Sequence, residues 1–141
     1  MMSTTINRVL IGKIEKGKDL LKELHRIVRE EEIKGGVVMV IGALSRVCVG
    51  YFDPDKKEYI KAIMEGIYEL TSGLGNISIS EDGKTIVHVH IVAQNYAGKT
   101  VSGHLLDGSI VGVTAEYAIF ELSDEVKREY DDETGLYLLK L

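Results

Sequence analysis

The sequence predicts an α+β fold class: a compact, mostly antiparallel sheet or partial barrel, with one long helix near the N-terminus and a short C-terminal helix. Three observations predict it. Apolar residues recur at helical spacing in only one substantial stretch, early in the chain. Apolar runs rich in β-branched residues fill most of the remaining chain. The 15 glycines fall mostly between those runs, where short strands joined by turns need them.

Thr5–Ile14 alternates imperfectly and reads as a first strand. Asp19 caps a helix running to about Ile33, with Leu20, Leu21, Leu24, Ile27 and Val28 on one face. Arg29, Glu30, Glu31 and Glu32 form its solvated flank, and Gly35 and Gly36 stop it. Val37–Ile41 and Val47–Phe52 are strands, succeeded by a turn at Asp53-Pro54-Asp55-Lys56 where proline presets φ. Glu58–Ile63 and Ile67–Leu70 are shorter strands, and Gly73-Leu74-Gly75-Asn76 is a bend. Ile77–Ser80 and Thr85–Ala93 flank Glu81-Asp82-Gly83-Lys84, a hairpin signal because Asp-Gly suits tight turns. Val101–Leu106 and Ile110–Leu122 continue the sheet across Asp107-Gly108. Ser123 caps the short helix to Tyr130, Asp131–Gly135 turns, and Leu136–Leu141 is a final strand.

A length of 141 residues implies one domain with a core large enough to need no staples. The single cysteine, Cys48, lies in an apolar run and reads as a buried free thiol in a reducing compartment. Met1 to Thr5 is polar, and no segment reaches the roughly 18 apolar residues of a membrane span. The expected location is cytoplasmic, with no membrane partner. Net charge is −5, and it is uneven: +2 over residues 1–34, −2 over 35–114 and −5 over 115–141. Binding to nucleic-acid phosphates draws on a basic surface, so direct DNA binding is not favoured, although folding could gather Arg8, Lys13, Lys16 and Lys18.

The informative segment is Ile86-Val87-His88-Val89-His90-Ile91-Val92. Alternate strand residues share a face, so His88 and His90 project together with Ile86 and Val92, opposite Val87, Val89 and Ile91. Both faces are otherwise apolar, so the strand reads as buried, and a buried imidazole needs hydrogen-bond partners or a metal. Gln94–Thr100 is polar and contains Gly98, so the chain can reverse there and return His104 beside the first pair. Three neutral histidines with an open fourth position is the donor set of a catalytic zinc site. The competing reading makes them hydrogen-bonded core residues. His25, on the helix among charged residues, reads as a surface residue.

Glu69 interrupts an apolar strand and is the candidate general base beside a metal; its alternative is an outward strand position or an ion pair. Arg46 carries the same alternatives, Glu116 is a weaker candidate, and Asp107 belongs to its turn. No phosphate-binding GxxxxGK[ST] or GxGxxG occurs, and Cys48 has no nucleophile signature around it.

An ordered set of short segments runs from Ile41-Gly42-Ala43-Leu44 through Val47–Asp53, Glu69-Leu70 and Gly75-Asn76-Ile77 to His88-Val89-His90, Gly103-His104-Leu105 and Thr114-Ala115-Glu116. It resembles the plant-and-prokaryote-conserved (PPC) domain family from about Asn7 to Leu122, leaving 123–141 as a C-terminal extension of a single 1–141 domain. The resemblance implies a compact α+β unit assembling as a homotrimer. It also implies, by similarity to the fold of acetolactate decarboxylase with its His-X-His plus later His zinc site, a zinc-type or other divalent metal centre at His88, His90 and His104. The function expected is action on a small carbonyl or carboxylate compound, with Glu69 in proton transfer. The alternative is a DNA-associated or regulatory scaffold without catalysis. The Arg-Gly-Arg-Pro segment that accompanies the domain in land plants is absent from this sequence.

Overall fold

In a computed structural model of the chain, described over residues 1–140, the architecture is dominated by sheet. The elements are β1 (Ile6–Glu15), α1 (Leu20–Glu30), β2 (Gly36–Asp53), β3 (Glu58–Ser80), β4 (Thr85–Gln94), β5 (Thr100–Leu105), β6 (Ile110–Leu122), β7 (Lys127–Asp131) and β8 (Leu136–Lys140). They form one mixed sheet in the order β1-β6-β2-β5-β4-β3-β7-β8, with β2 and β3 also paired. Its one parallel pairing among the described residues joins β3 to β7. Because β2 pairs with both β3 and β5, the run β2-β3-β4-β5 returns to its starting strand.

This corrects the expected α+β class. Strands take 65% of the chain and helix 8%, and neither the long N-terminal helix nor the short C-terminal one is present. Asp19 does cap α1, accepting from the Lys22 N–H at 3.2 Å. The helix ends after 11 residues because Glu32 turns left-handed (φ 57°) and the Ile33 N–H bonds back to the Val28 carbonyl at 3.0 Å. Ile33 is therefore a buried residue beyond the helix, and Gly35 and Gly36 play no part in stopping it.

The segment expected as a second helix, from Ser123 to Tyr130, instead supplies β7. Val126 and Arg128 are buried while Lys127 is exposed, an alternation of period two that suits a strand. The Ile79 N–H donates to the Val126 carbonyl at 2.9 Å, so the free edge of β3 captures this segment.

Two further expectations merge. The strands Val37–Ile41 and Val47–Phe52 are one 18-residue β2, and three expected pieces between Glu58 and Ser80 are one 23-residue β3. Register shifts let β2 bend without breaking. Gly73–Asn76, expected as a bend, runs straight through β3; a Cβ on Gly75 would collide with the His88 carbonyl oxygen. That glycine marks a close approach of two backbones, and it seats β3 against β4 beside the first histidine.

The core lies between α1 and the inner face of the sheet. Leu20, Leu24, Ile27 and Val28 from the helix meet Val38, Val40, Leu44, Ile77, Val87, Val89, Ile91, Val111 and Ile119. At roughly 1.5–3 kcal/mol per fully buried aliphatic side chain, this layer fixes the inner face of β4 and, by alternation, the outward aim of its histidines. Cys48 is buried and unpaired.

Candidate metal centre

His88 and His90 project from the outer face of β4, opposite the buried Val87, Val89, Ile91 and Ala93. The expectation that both faces are buried does not hold: His88 is half-buried and His90 exposed. The reversal at Gln94–Thr100 is a tight turn in which the Asn95 side-chain oxygen accepts from the Ala97 and Lys99 N–H groups. It sets β5 antiparallel to β4 with His104 directly opposite His90. One ligand nitrogen from each of the three rings lies within 4.8 Å of the other two, and the Nε2 atoms of His88 and His90 are 3.1 Å apart. A tetrahedral zinc with bonds near 2.05 Å spaces its nitrogens about 3.3 Å apart, so small rotations of the rings suffice to converge them.

The surroundings favour neutral rings. Burial first, then the nearby positive charge of His88, His90 and Arg128, pushes His104 down to about 4. Burial also lowers His88, followed by Arg128 and His90. A neutral imidazole is the ligand form. Nδ1 of His104 is buried without a hydrogen-bond partner. Tyr59 packs over the same ring with centroids 4.7 Å apart. Three imidazoles and no thiolate suit zinc and its first-row neighbours.

The Plants and Prokaryotes Conserved (PCC) domain matches residues 1–123. The chain belongs to that family. Among solved structures, a metal-containing protein from Archaeoglobus fulgidus shares 27% identity at a TM-score of 0.89, covering 100% of this chain and 99% of that one. A PPC protein from Pyrococcus horikoshii shares 30% identity at 0.89, covering 100% and 98%. A structure from Bacteroides thetaiotaomicron described as a candidate DNA-binding protein shares 25% at 0.89, covering 98% and 96%. The bifunctional protein GlmU of a Synechococcus strain is 29% identical over 130 residues, 91% of this chain, and the chain spans only about a fifth (20%) of that relative's length.

Within this PCC domain the other predicted residues lie away from the histidines. Glu69 is exposed on β3 opposite Gln94, beside Ile67, Thr71, Asn95 and Tyr96. It shares the outer face with His90 but sits four strand positions away, about 13 Å at roughly 3.3 Å per residue. Arg46 meets Glu65 at 3.1 Å, the ion-pair alternative. Glu116 lines a surface groove with Ile11, Met39 and Ile41. Asp107 is in its turn, and His25 is half-buried on α1 outside the cluster.

Sequence reasoning missed Arg128. It is 7% exposed and donates to Ser78 Oγ (2.9 Å), Asn76 Oδ1 (2.9 Å), the Tyr137 carbonyl (2.6 Å) and His88 Nδ1 (3.1 Å). Reading 123–130 as a helix gave it no role; the alternation from Val126 was the available signal. With Tyr137, Leu136 and Leu138 it walls a cavity of about 320 Å³ that opens on His88 and His104.

Proposed function

We propose that this PCC domain is a homotrimeric metalloprotein whose His88, His90 and His104 hold a zinc-type ion and that it acts on a small carbonyl or carboxylate compound. One observation carries the reading: three imidazoles on neighbouring strands have their ligand atoms within 4.8 Å, one of them bearing an orphaned buried nitrogen. A bound divalent ion would supply Lewis acidity at an open coordination position. The protein's own part is to keep the rings neutral and aimed, and to shield one side of the site with Tyr59 and the β7–β8 hairpin. The metal-containing Archaeoglobus structure supports the same reading.

Self-association is supported by the outer face. In register, Ile11 of β1, Ala118 of β6, Met39 of β2 and Leu74 of β3 form a row that ends at His90. Ile11, Met39 and Leu74 are 83%, 49% and 56% exposed, a contiguous apolar strip of the kind that marks a contact surface. In this reading Glu69 serves in proton transfer from a second copy, since within one chain it stands too far from the rings.

Metal analysis of untagged protein tests the proposal. One equivalent of zinc per chain is expected, lost in the triple His→Ala variant, with a light-scattering mass of three chains. A metal-free protein whose zinc titration is unchanged by the triple substitution sinks it. A nucleic-acid-associated scaffold takes second place, favoured by the Bacteroides structure described as a candidate DNA-binding protein and opposed by a net charge of −5. A gel shift at low salt that weakens as salt rises would restore it.

A further inference from the structure

We infer that the cavity beside the histidines binds a small organic carboxylate, with Arg128 as the residue that takes its charge. This rests on the metal reading of the three histidines and adds the ligand class to it.

Arg128 is a buried cation with no ion-pair partner among the described residues. All four of its contacts are to neutral acceptors, and no acid lines the cavity. A guanidinium has five N–H donors. Nε uses one, Nη2 uses two and Nη1 uses one, which leaves one Nη1 hydrogen without a partner.

Metal loading sharpens the imbalance. A neutral His88 that offers its Nε2 lone pair to an ion must carry its proton on Nδ1. Nδ1 faces a guanidinium N–H at 3.1 Å, so two donors then oppose each other. The Nη2 hydrogen is freed, and each terminal nitrogen has one to give. A guanidinium that offers one N–H from each terminal nitrogen can hold both oxygens of a carboxylate.

Charge points the same way. A divalent ion on three neutral imidazoles, beside Arg128, puts three positive charges in one partly buried pocket with no acidic side chain. A buried charge of that kind is stable only when paired, so the ligand supplies the anion. The walls set its remaining shape. Ile86, Leu136, Leu138, Tyr59 and Tyr137 are mostly apolar, and about 320 Å³ suits a short hydrocarbon body with one charged end. A phosphate dianion would find few further donors there.

Isothermal titration of the zinc-loaded protein tests this with three probes: isobutyrate, its neutral isostere isobutyramide, and inorganic phosphate. Isobutyrate is expected to bind at least tenfold tighter than either. In Arg128→Gln that preference should disappear while zinc stoichiometry stays at one per chain. Arg128→Lys, which keeps the charge and loses the fork, should retain part of it. Equal binding of isobutyrate and isobutyramide to wild type overturns the inference, as does unaltered isobutyrate affinity in Arg128→Gln or tighter binding of phosphate. Should Arg128→Gln fail to fold, the wild-type preference among the three probes still decides. Zinc binding is read separately, so a wild type that takes no zinc defeats the metal proposal, whereas one that takes zinc but does not prefer the carboxylate defeats only this one.

Discussion

The two faces of β4 obey the same alternation and end in different environments. The inner face, Val87, Val89, Ile91 and Ala93, is buried against α1 and the neighbouring strands. The outer face, His88, His90, Val92 and Gln94, is bounded by β5 on one side and near His88 by Tyr137 and by Arg128, which lies 40 residues further along the chain. The inner face is stabilised by apolar burial and is indifferent to ligands. The outer face carries partly buried polar groups whose partners are incomplete, which is where a bound ion gains most.

The inner face is the more sensitive to truncation. Ile91→Ala should cost about 2–5 kcal/mol in urea unfolding, because it empties a fully buried site. His90→Ala in metal-free protein should cost far less, its ring being exposed. Equal losses would abolish the distinction between the faces.

His104→Ala should weaken zinc binding by on the order of 100-fold or more, beyond what removing a supporting residue does. Metal-free stability should change little. A zinc affinity within threefold of wild type would place the ion elsewhere.

Met39→Glu, in the middle of the exposed apolar strip, should shift the light-scattering mass toward a single chain of 15.6 kDa while leaving circular dichroism unchanged. An unchanged mass would remove this face from the assembly.

Acidification probes the histidine face in another way. An unfolded histidine takes up a proton near 6.5, whereas folded His104 resists until about 4. Between those values the unfolded chain holds more protons, so stability rises with pH across that window and levels off above it. His88 and His25, both lowered chiefly by burial, act in the same direction. The thermal midpoint of metal-free protein should therefore fall from pH 6.5 to 4, less steeply in His104→Ala. A midpoint that rises on acidification would contradict the neutral cluster.

Much of the site was legible in order along the chain. The His-x-His alternation placed two rings on one face, and the polar Gln94–Thr100 with Gly98 announced the turn that returns the third. The hairpin at Asp82-Gly83 and the turn at Pro54 were equally local, the latter held by the Asp53 carboxylate accepting from Asp55 and Lys56. The errors arose where a residue had two local meanings. Gly73 and Gly75 suggest a bend, yet serve close contact between strands, and Ser123 suggests a cap, yet precedes a strand.

The alternation of β4, the turn into β5 and thus the meeting of three imidazoles follow from local sequence, because they depend on neighbours within about 20 residues and on a period of two. Their surroundings come from long-range packing. The capture of β7 by the edge of β3 is a long-range pairing, and it carries Arg128 to His88 across 40 positions of chain. No local pattern encodes such a contact, since it depends on which strand edge is left free once the rest of the sheet has formed.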